Sequence, residues 1–320
     1  MFTDKYPQDD LTFLEDVSLH DGIPKQYYNL KNKIFNDWEI PPWEVVIYKN
    51  RLIGQGSFSK VYLGKWRKTL VVAKVVDPDV IKNKKELVLR ELDNLTKLHH
   101  PNIVQILGYI DDPFIIILEY IPKGDLLKNT PNLWKSQKKK IMINILQALA
   151  YLHNRKPYKL IHRDIKPTNI LLTNSLFAKI TDFGLSKFTK TDNICSLSNE
   201  IFSEFKNNNN ENNENNENNE NNENNENNEE LTNNIGTERY LAPEMPCSNY
   251  TNKIDIYATG ILLYEMFENK RYIPKKKLSW YWTPKNIKNI IINNMLNHDP
   301  DKRLSALELL DLFKKIKITF

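Results

Sequence analysis

The chain has 320 residues, 40% of them hydrophobic and 27% charged, which suffices for one large or two modest globular domains and excludes collagen-like and wholly disordered chains. Residues 207–230 hold 16 Asn and 8 Glu and nothing else, so the other 296 residues carry 45 Lys+Arg against 32 Asp+Glu, a net charge of +13. A body this basic suits nucleotides, acidic peptides, nucleic acid or a membrane surface, and decides nothing about fold.

Residues 1–43 are polar and aromatic without periodicity and run into the rigid pair Pro41-Pro42, the pattern of an extension to the main domain. From 44 to 76, short β-branched and aromatic runs (VVIY, SKVYLGKW, LVVAKVV) alternate with Gly-rich or charged turns, which predicts an antiparallel meander. The spacing of Leu87, Val88, Leu92, Leu95 and Leu98 predicts a helix over about 80–98. Glu91 falls on its apolar face, where a carboxylate is costly to desolvate unless a cation meets it. Two more strand-like runs end in FIIILEY, and helices are predicted over 138–154, 254–267, 284–297 and 305–313. The expected fold class is α+β, with a small β-rich lobe (about 44–121) followed by a larger helical lobe (about 122–320). No apolar run reaches the roughly 20 residues of a membrane span, and the N-terminus lacks the pattern of a secretory signal. Cys195 and Cys247 show no metal-ligand spacing, and so few cysteines suit a reducing, intracellular and cytoplasmic setting.

The tract 207–230 repeats Asn-Asn-Glu and has no apolar side chain, so it is expected to be disordered. As a role for it, an inert spacer competes with a salt-sensitive competitor for basic surface.

Gly54-Gln55-Gly56-Ser57-Phe58-Ser59-Lys60-Val61 lies between two strand candidates. Taken alone, Gly-x-Gly is as readily a tight turn as a loop whose backbone N–H groups approach phosphate; a Rossmann fingerprint is disfavoured because a strand, not a helix, follows. Lys74 is the only charge between residues 70 and 76 and shares a strand face with Val72 and Val76. Either it sits at an exposed sheet edge or it supplies the cation that Glu91 demands. His162-Arg163-Asp164-Ile165-Lys166-Pro167-Thr168-Asn169 falls between the strand-like runs KLI and ILL, and Asp182-Phe183-Gly184 follows AKIT. Each Asp alone is more often a cap or turn residue. Together, two carboxylates and an amide at strand ends suit a Mg²⁺-dependent phosphoryl-transfer site, where hard oxygens hold the cation and another carboxylate accepts a hydroxyl proton.

These motifs, in this order and with GTERYLAPE, KIDIYATG and DPDKR after them, resemble the eukaryotic protein kinase family over nearly all of 44–313. The resemblance implies a bilobal kinase fold and transfer of the γ-phosphate of ATP to Ser or Thr of protein substrates. It implies that Ile53, Gly54, Gly56, Val61, Val72 and Leu171 line the nucleotide, and that Lys74 holds the α/β-phosphates while paired with Glu91. Glu119 to Ile121 would be the adenine hinge after the gatekeeper Leu118. Asp164 would be the base, Lys166 would steady the transferred group, and Asn169 and Asp182 would hold Mg²⁺. Leu95, Ile106, His162 and Phe183 would form the stacked apolar spine. Arg163 would receive a phosphate from the activation segment, placed there by an activating kinase or by autophosphorylation, with Thr189, Thr191, Ser196, Ser198, Ser203 and Thr232 as candidates.

Lys166 and Thr237 match Ser/Thr kinases, whereas WEIPPWEVVIYKNRLIGQGSFSKVYLGKW and HPNIVQILGY look most like the tyrosine-kinase-like group. The sequence departs from the family in three places: Ser59 replaces the third glycine, Val72 stands where a small Ala is usual, and only 43 positions separate Gly260 from Arg303. In that last interval, residues 275–282 occupy the place of a further helix, which puts substrate docking through such a helix in doubt. A pseudokinase scaffold is the rival reading, although Lys74, Glu91, Asp164, Asn169 and Asp182 are all present. No stacking or groove-reading motif supports nucleic-acid binding.

Overall fold

A computed structural model describes residues 36–56, 59–82, 89, 92, 95–190, 239–245 and 250–316. Glu91, Thr237, both cysteines, the Asn/Glu tract and every activation-segment candidate except Thr189 lie outside the described residues. The chain divides between Ile121 and Pro122 into two compact units.

The first unit is built on a five-stranded antiparallel sheet of β1 (Val45–Gly56), β2 (Ser59–Trp66), β3 (Thr69–Val76), β4 (Ile106–Ile110) and β5 (Ile115–Glu119), in the order β1-β2-β3-β5-β4. The runs LVVAKVV and FIIILEY are almost continuously apolar because both faces of the sheet are covered. Val71, Ala73, Ile115 and Ile117 point into one buried cluster with Val45 and Ile47. On the other face Val76, Ile116 and Leu118 pack with Leu92, Leu95 and Ile106, the helical residues between 78 and 96 supplying the cover.

Part of the N-terminal extension docks on the edge strand. Ile40 donates its N–H to the carbonyl of Tyr109, Tyr109 returns one to Trp38, and Ile40 is buried in the first cluster. Gly108 is required by this contact, since a Cβ there would lie 2.6 Å from the Trp38 carbonyl oxygen and 2.8 Å from the Ile40 side chain. The β2–β3 turn carries Arg67 and Lys68 at positive φ, where glycine would be cheaper. Arg67 is held there by Glu44, at 2.7 and 3.0 Å, and the same carboxylate accepts from Trp66 Nε1 at 2.9 Å.

In the second unit the central element is the helix Lys253–Glu268, buried along nearly its whole length. It packs against the π-helical turn Ile291–Met295 so closely that a Cβ on Gly260 would meet Leu296 Cδ2 at 2.7 Å. The helix Lys135–His153 buries Ile141, Met142, Ile145, Leu146, Leu149 and Leu152. Two short antiparallel pairs complete the scaffold: β6 (Tyr158–Ile161) pairs with the distant β9 (Lys187–Lys190), and β7 (Ile170–Leu172) forms a hairpin with β8 (Ala178–Ile180). The helix expected over 284–297 is α-helical only over Lys285–Ile290 and then widens into the π turn. Residues 269–283 contain no helix.

The last helix, Ala306–Lys315, opens with a reciprocal cap. Ser305 Oγ accepts from the Glu308 N–H at 3.3 Å, and Glu308 Oε2 accepts from the Ser305 N–H at 2.8 Å. Ser305→Ala removes half of this exchange and is expected to cost about 1 kcal/mol, a fall of roughly 2–4 °C in the melting temperature by thermal denaturation.

Candidate active site

In the first unit, β1 and β2 form the Gly-rich hairpin, with Gly54 opposite Val61 and Gly56 opposite Ser59. Neither glycine has a positive φ, and a Cβ on either would meet its nearest neighbour at an ordinary 3.6 Å. Among the described residues, no neighbouring atom or backbone angle demands glycine at these positions. What bare backbone does supply there is room for something outside the chain to approach.

Lys74 lies on β3, hydrogen-bonded between β2 and β5 with Val61 on one side and Ile116 on the other. The edge-exposure alternative is thus excluded, because β3 is the central strand. Its side chain is half-buried on the face that carries Val76, Ile116 and Leu118, the face covered by the helical residues. Val72 is buried two residues away, and Leu118 and Glu119 close β5. Glu119 Oε1 accepts from the Gln105 N–H at 2.7 Å, Ile121 is buried, and Ile53 is exposed.

The second unit positions the loop 162–169 between β6 and β7. Its pivot is Asp255 on the buried helix, which is 1% exposed. One oxygen accepts from the His162 N–H and from His153 Nε2, both at 2.8 Å, and the other accepts from the Arg163 N–H at 2.8 Å. Arg163 has a positive φ, and two hydrogen bonds to one carboxylate over-determine that strained turn. Burial alone would raise the Asp255 carboxyl, but the His153 hydrogen bond, the charges of His153 and His162 and the His162 N–H outweigh it and hold it below its ordinary 3.8. A lowered carboxyl contributes stability above its unfolded value and loses it as pH falls through the folded one. Urea denaturation between pH 7 and 3 is therefore expected to show wild-type stability falling below about pH 4, and Asp255→Asn, already less stable at pH 7, following a flatter profile.

Within the loop, three predicted residues meet. Asn169 Nδ2 donates to Asp164 Oδ2 at 2.8 Å and to the Asp164 carbonyl at 2.9 Å, and Lys166 Nζ lies 2.9 Å from the same Oδ2. Asp164 and Asn169 are both buried. Asp182 reaches the same end of the β7–β8 hairpin, because the Thr181 N–H donates to the Asn169 carbonyl at 2.9 Å and Ile170 pairs with Ile180. Asp182 has a φ of 63°, a left-handed backbone that a non-glycine residue seldom adopts and that marks functional turns. Leu171 lies between them on β7, bridged to Asp125. His162 Nε2 contacts the Thr181 carbonyl at 3.1 Å, and its ring meets Phe183 edge-on at 4.8 Å. The two halves of the expected spine thus each form within one unit, Leu95 with Ile106 and His162 with Phe183.

The donor set suits Mg²⁺. Asn169 directs its Nδ2 at Asp164, so its amide Oδ1 points elsewhere, and Asp182 adds a carboxylate. Among the described residues no three His, Cys, Asp or Glu side chains cluster as a metal cage. Mg²⁺ usually takes one or two carboxylates and completes its shell with water and substrate phosphates, so Asn169 and Asp182 would be protein ligands enough for it.

Three supporting contacts had no sequence signal of their own. Arg163 Nη1 donates to Tyr250 Oη at 2.8 Å, and its Nε donates to the Leu185 carbonyl. Glu244 grips Arg303 through two bonds of 2.6 and 2.9 Å, with Arg303 fully buried and stacked 4.9 Å over Tyr257. Arg239 and Tyr240 both reach Glu265, at 3.7 and 2.5 Å. Thr189, the one described phosphorylation candidate, pairs with Lys159 in the antiparallel β6–β9 ladder.

The family model described as protein kinase domain matches residues 47–205 and 221–312. Among curated relatives from Arabidopsis thaliana, serine/threonine-protein kinase VIK is 34% identical over 246 residues, 73% of this chain and 48% of that protein. Probable serine/threonine-protein kinase PBL24 is 29% identical over 276 residues, 82% of this chain and 61% of that protein. A probably inactive leucine-rich repeat receptor-like protein kinase, At3g28040, is 32% identical over 242 residues, 71% of this chain and 21% of that protein. The chain belongs to the protein kinase family, and it spans about half the length of VIK and less of the receptor-like relative.

Proposed function

We propose that this protein is an ATP- and Mg²⁺-dependent kinase that transfers the γ-phosphate of ATP to Ser and Thr hydroxyls of protein substrates. The observation that carries this reading is the convergence of Asn169 and Lys166 on one oxygen of the buried Asp164 carboxylate, with Asp182 at the same hairpin end. Asn169 Nδ2, anchored on the Asp164 backbone carbonyl, fixes the carboxylate's orientation through its bond to Oδ2, and Asp164 Oδ1 then serves as the proton acceptor for the attacking hydroxyl. Lys166 holds a positive charge beside the reacting centre, where charge develops on the transferred group. Lys74, projecting from a central strand, contacts the α/β-phosphates and pairs with Glu91, while the bare backbone at Gly54 and Gly56 lies against the phosphates. Asn169 and Asp182 would hold Mg²⁺, which would supply positive charge to offset that of the phosphates.

The pseudokinase alternative has one observation in its favour, a relative of similar identity that is described as probably inactive. Against it stands the complete set of Lys74, Glu91, Asp164, Asn169 and Asp182. The test is incubation of the purified protein with labelled ATP, Mg²⁺ and a peptide library beside an Asp164→Asn control. Phosphate incorporated on Ser and Thr by the wild type alone supports the kinase; none in either leaves the scaffold. We further place the protein in an intracellular setting, supported by its low cysteine content; among the described residues no helix is long and apolar enough to cross a membrane.

A further inference from the structure

Residues 269–298 carry seven Lys and Arg and no Asp or Glu. A merely solvated face mixes both signs and keeps large aromatics covered. Here Tyr281 is 77% exposed, Trp282 66% and Ile273 51%, beside the exposed Lys275, Lys276 and Lys277. Trp and Tyr flanked by cations are the composition of binding hot spots.

The backbone beneath these rings is pinned. The buried Glu268 accepts from the N–H groups of Tyr281 at 2.8 Å, Trp282 at 3.1 Å and Thr283 at 2.9 Å. Lys270 donates to the Ser279 carbonyl at 2.7 Å while lying 5.0 Å from the Tyr281 ring centre. A surface ordered in advance loses little entropy on binding. Directly after Thr283, a shallow, open depression of about 500 Å³ is lined by Lys135, Pro284, Lys285, Asn286 and Asn289. Trp134, the residue before Lys135, is 76% exposed. Exposed aromatics thus lie close in sequence to a site that two lysines, Lys135 and Lys285, help to line.

We propose that this surface docks an acidic, apolar-anchored segment of a partner protein, with an apolar side chain laid against the exposed Tyr281 and Trp282 and carboxylates facing Lys275, Lys276, Lys277 and Lys285. Charge complementarity selects the acidic segment, and the exposed Tyr281 and Trp282 supply its apolar contact. The surface is separate from the loop 162–169 and is tested by binding without nucleotide, so its failure is distinguishable from failure of the kinase reading.

The probe is a fluorescein-labelled peptide of alternating Glu and Gly with one central Leu, titrated against the full chain by anisotropy at low and high salt. The expected result is saturable binding that a Glu→Gln peptide weakens at least tenfold, that Trp282→Ala weakens about tenfold, and that Lys275→Glu, Lys276→Glu and Lys277→Glu together abolish. High salt should weaken it as well. These side chains are exposed, and an unchanged melting temperature confirms folded variants. Equal binding of both peptides, or binding indifferent to the substitutions, overturns the proposal. So does binding to phosphatidylserine vesicles without binding to peptide. Binding that emerges only after deletion of residues 207–230 overturns it too, by making the chain's own Glu-rich tract the occupant.

Discussion

Asp164→Asn is expected to lower kcat for peptide phosphorylation by roughly 10²–10⁴, with little change in ATP affinity. The substitution is nearly isosteric, so the buried loop keeps its shape, but an amide cannot accept the hydroxyl proton. The new amide also faces Asn169 Nδ2 and Lys166 Nζ, both donors aimed at the Oδ2 position, so one of its rotamers preserves a carbonyl there and places its NH₂ where the substrate hydroxyl would approach. A wild-type kcat in this variant would overturn the assignment of Asp164. Nucleotide affinity, measured separately by ATP titration, reports on Lys74 and the Gly-rich hairpin, not on the base.

Glu244→Gln is expected to destabilise the second unit by about 3–5 kcal/mol, a drop of roughly 6–20 °C in the melting temperature. Arg303 is wholly buried, and its other partners are neutral: the carbonyls of Asn297 and Lys253 and the face of Tyr257. Removing the one carboxylate it grips leaves a charge in a low-dielectric interior without compensation. Glu244→Gln and Arg303→Met together replace the pair by neutral groups, and the double variant is expected to recover part of the loss. A melting temperature within about 2 °C of wild type for Glu244→Gln alone would show that neighbouring carbonyls suffice.

The element pattern was readable wherever one face of a segment is apolar: the meander of β1 to β3, the helices Lys135–His153 and Lys253–Glu268, and the short strands flanking the loop 162–169. The helix Lys135–His153 begins earlier than its periodicity implied because its first turn is polar, and polar residues carry no face. Strand order was not readable. That Lys74 sits on a central strand follows from β5 returning beside β3, a pairing across more than forty residues that leaves no mark near Lys74 itself. Long-range partners of buried charges were equally silent. Glu244 meets Arg303 across 59 positions and His153 meets Asp255 across 102, and nothing near either member of a pair names the other. The site was more legible than its supports, since the residues 162–169 and 182–184 lie close in sequence and are brought together by one short hairpin.

Asp255 has a consequence for motion as well as for shape. One carboxylate collects donors from the end of the helix Lys135–His153 and from two successive amides of the loop 162–169, while its own backbone belongs to the most deeply buried helix of the unit. Opening the loop at His162 or Arg163 strands a buried anion, so those amides become accessible to solvent exchange only when the helix itself lets go. The loop and the core helix therefore open as one cooperative unit, and the placement of Asp164 inherits the slow opening of the core rather than the fast fluctuations ordinary for a surface loop.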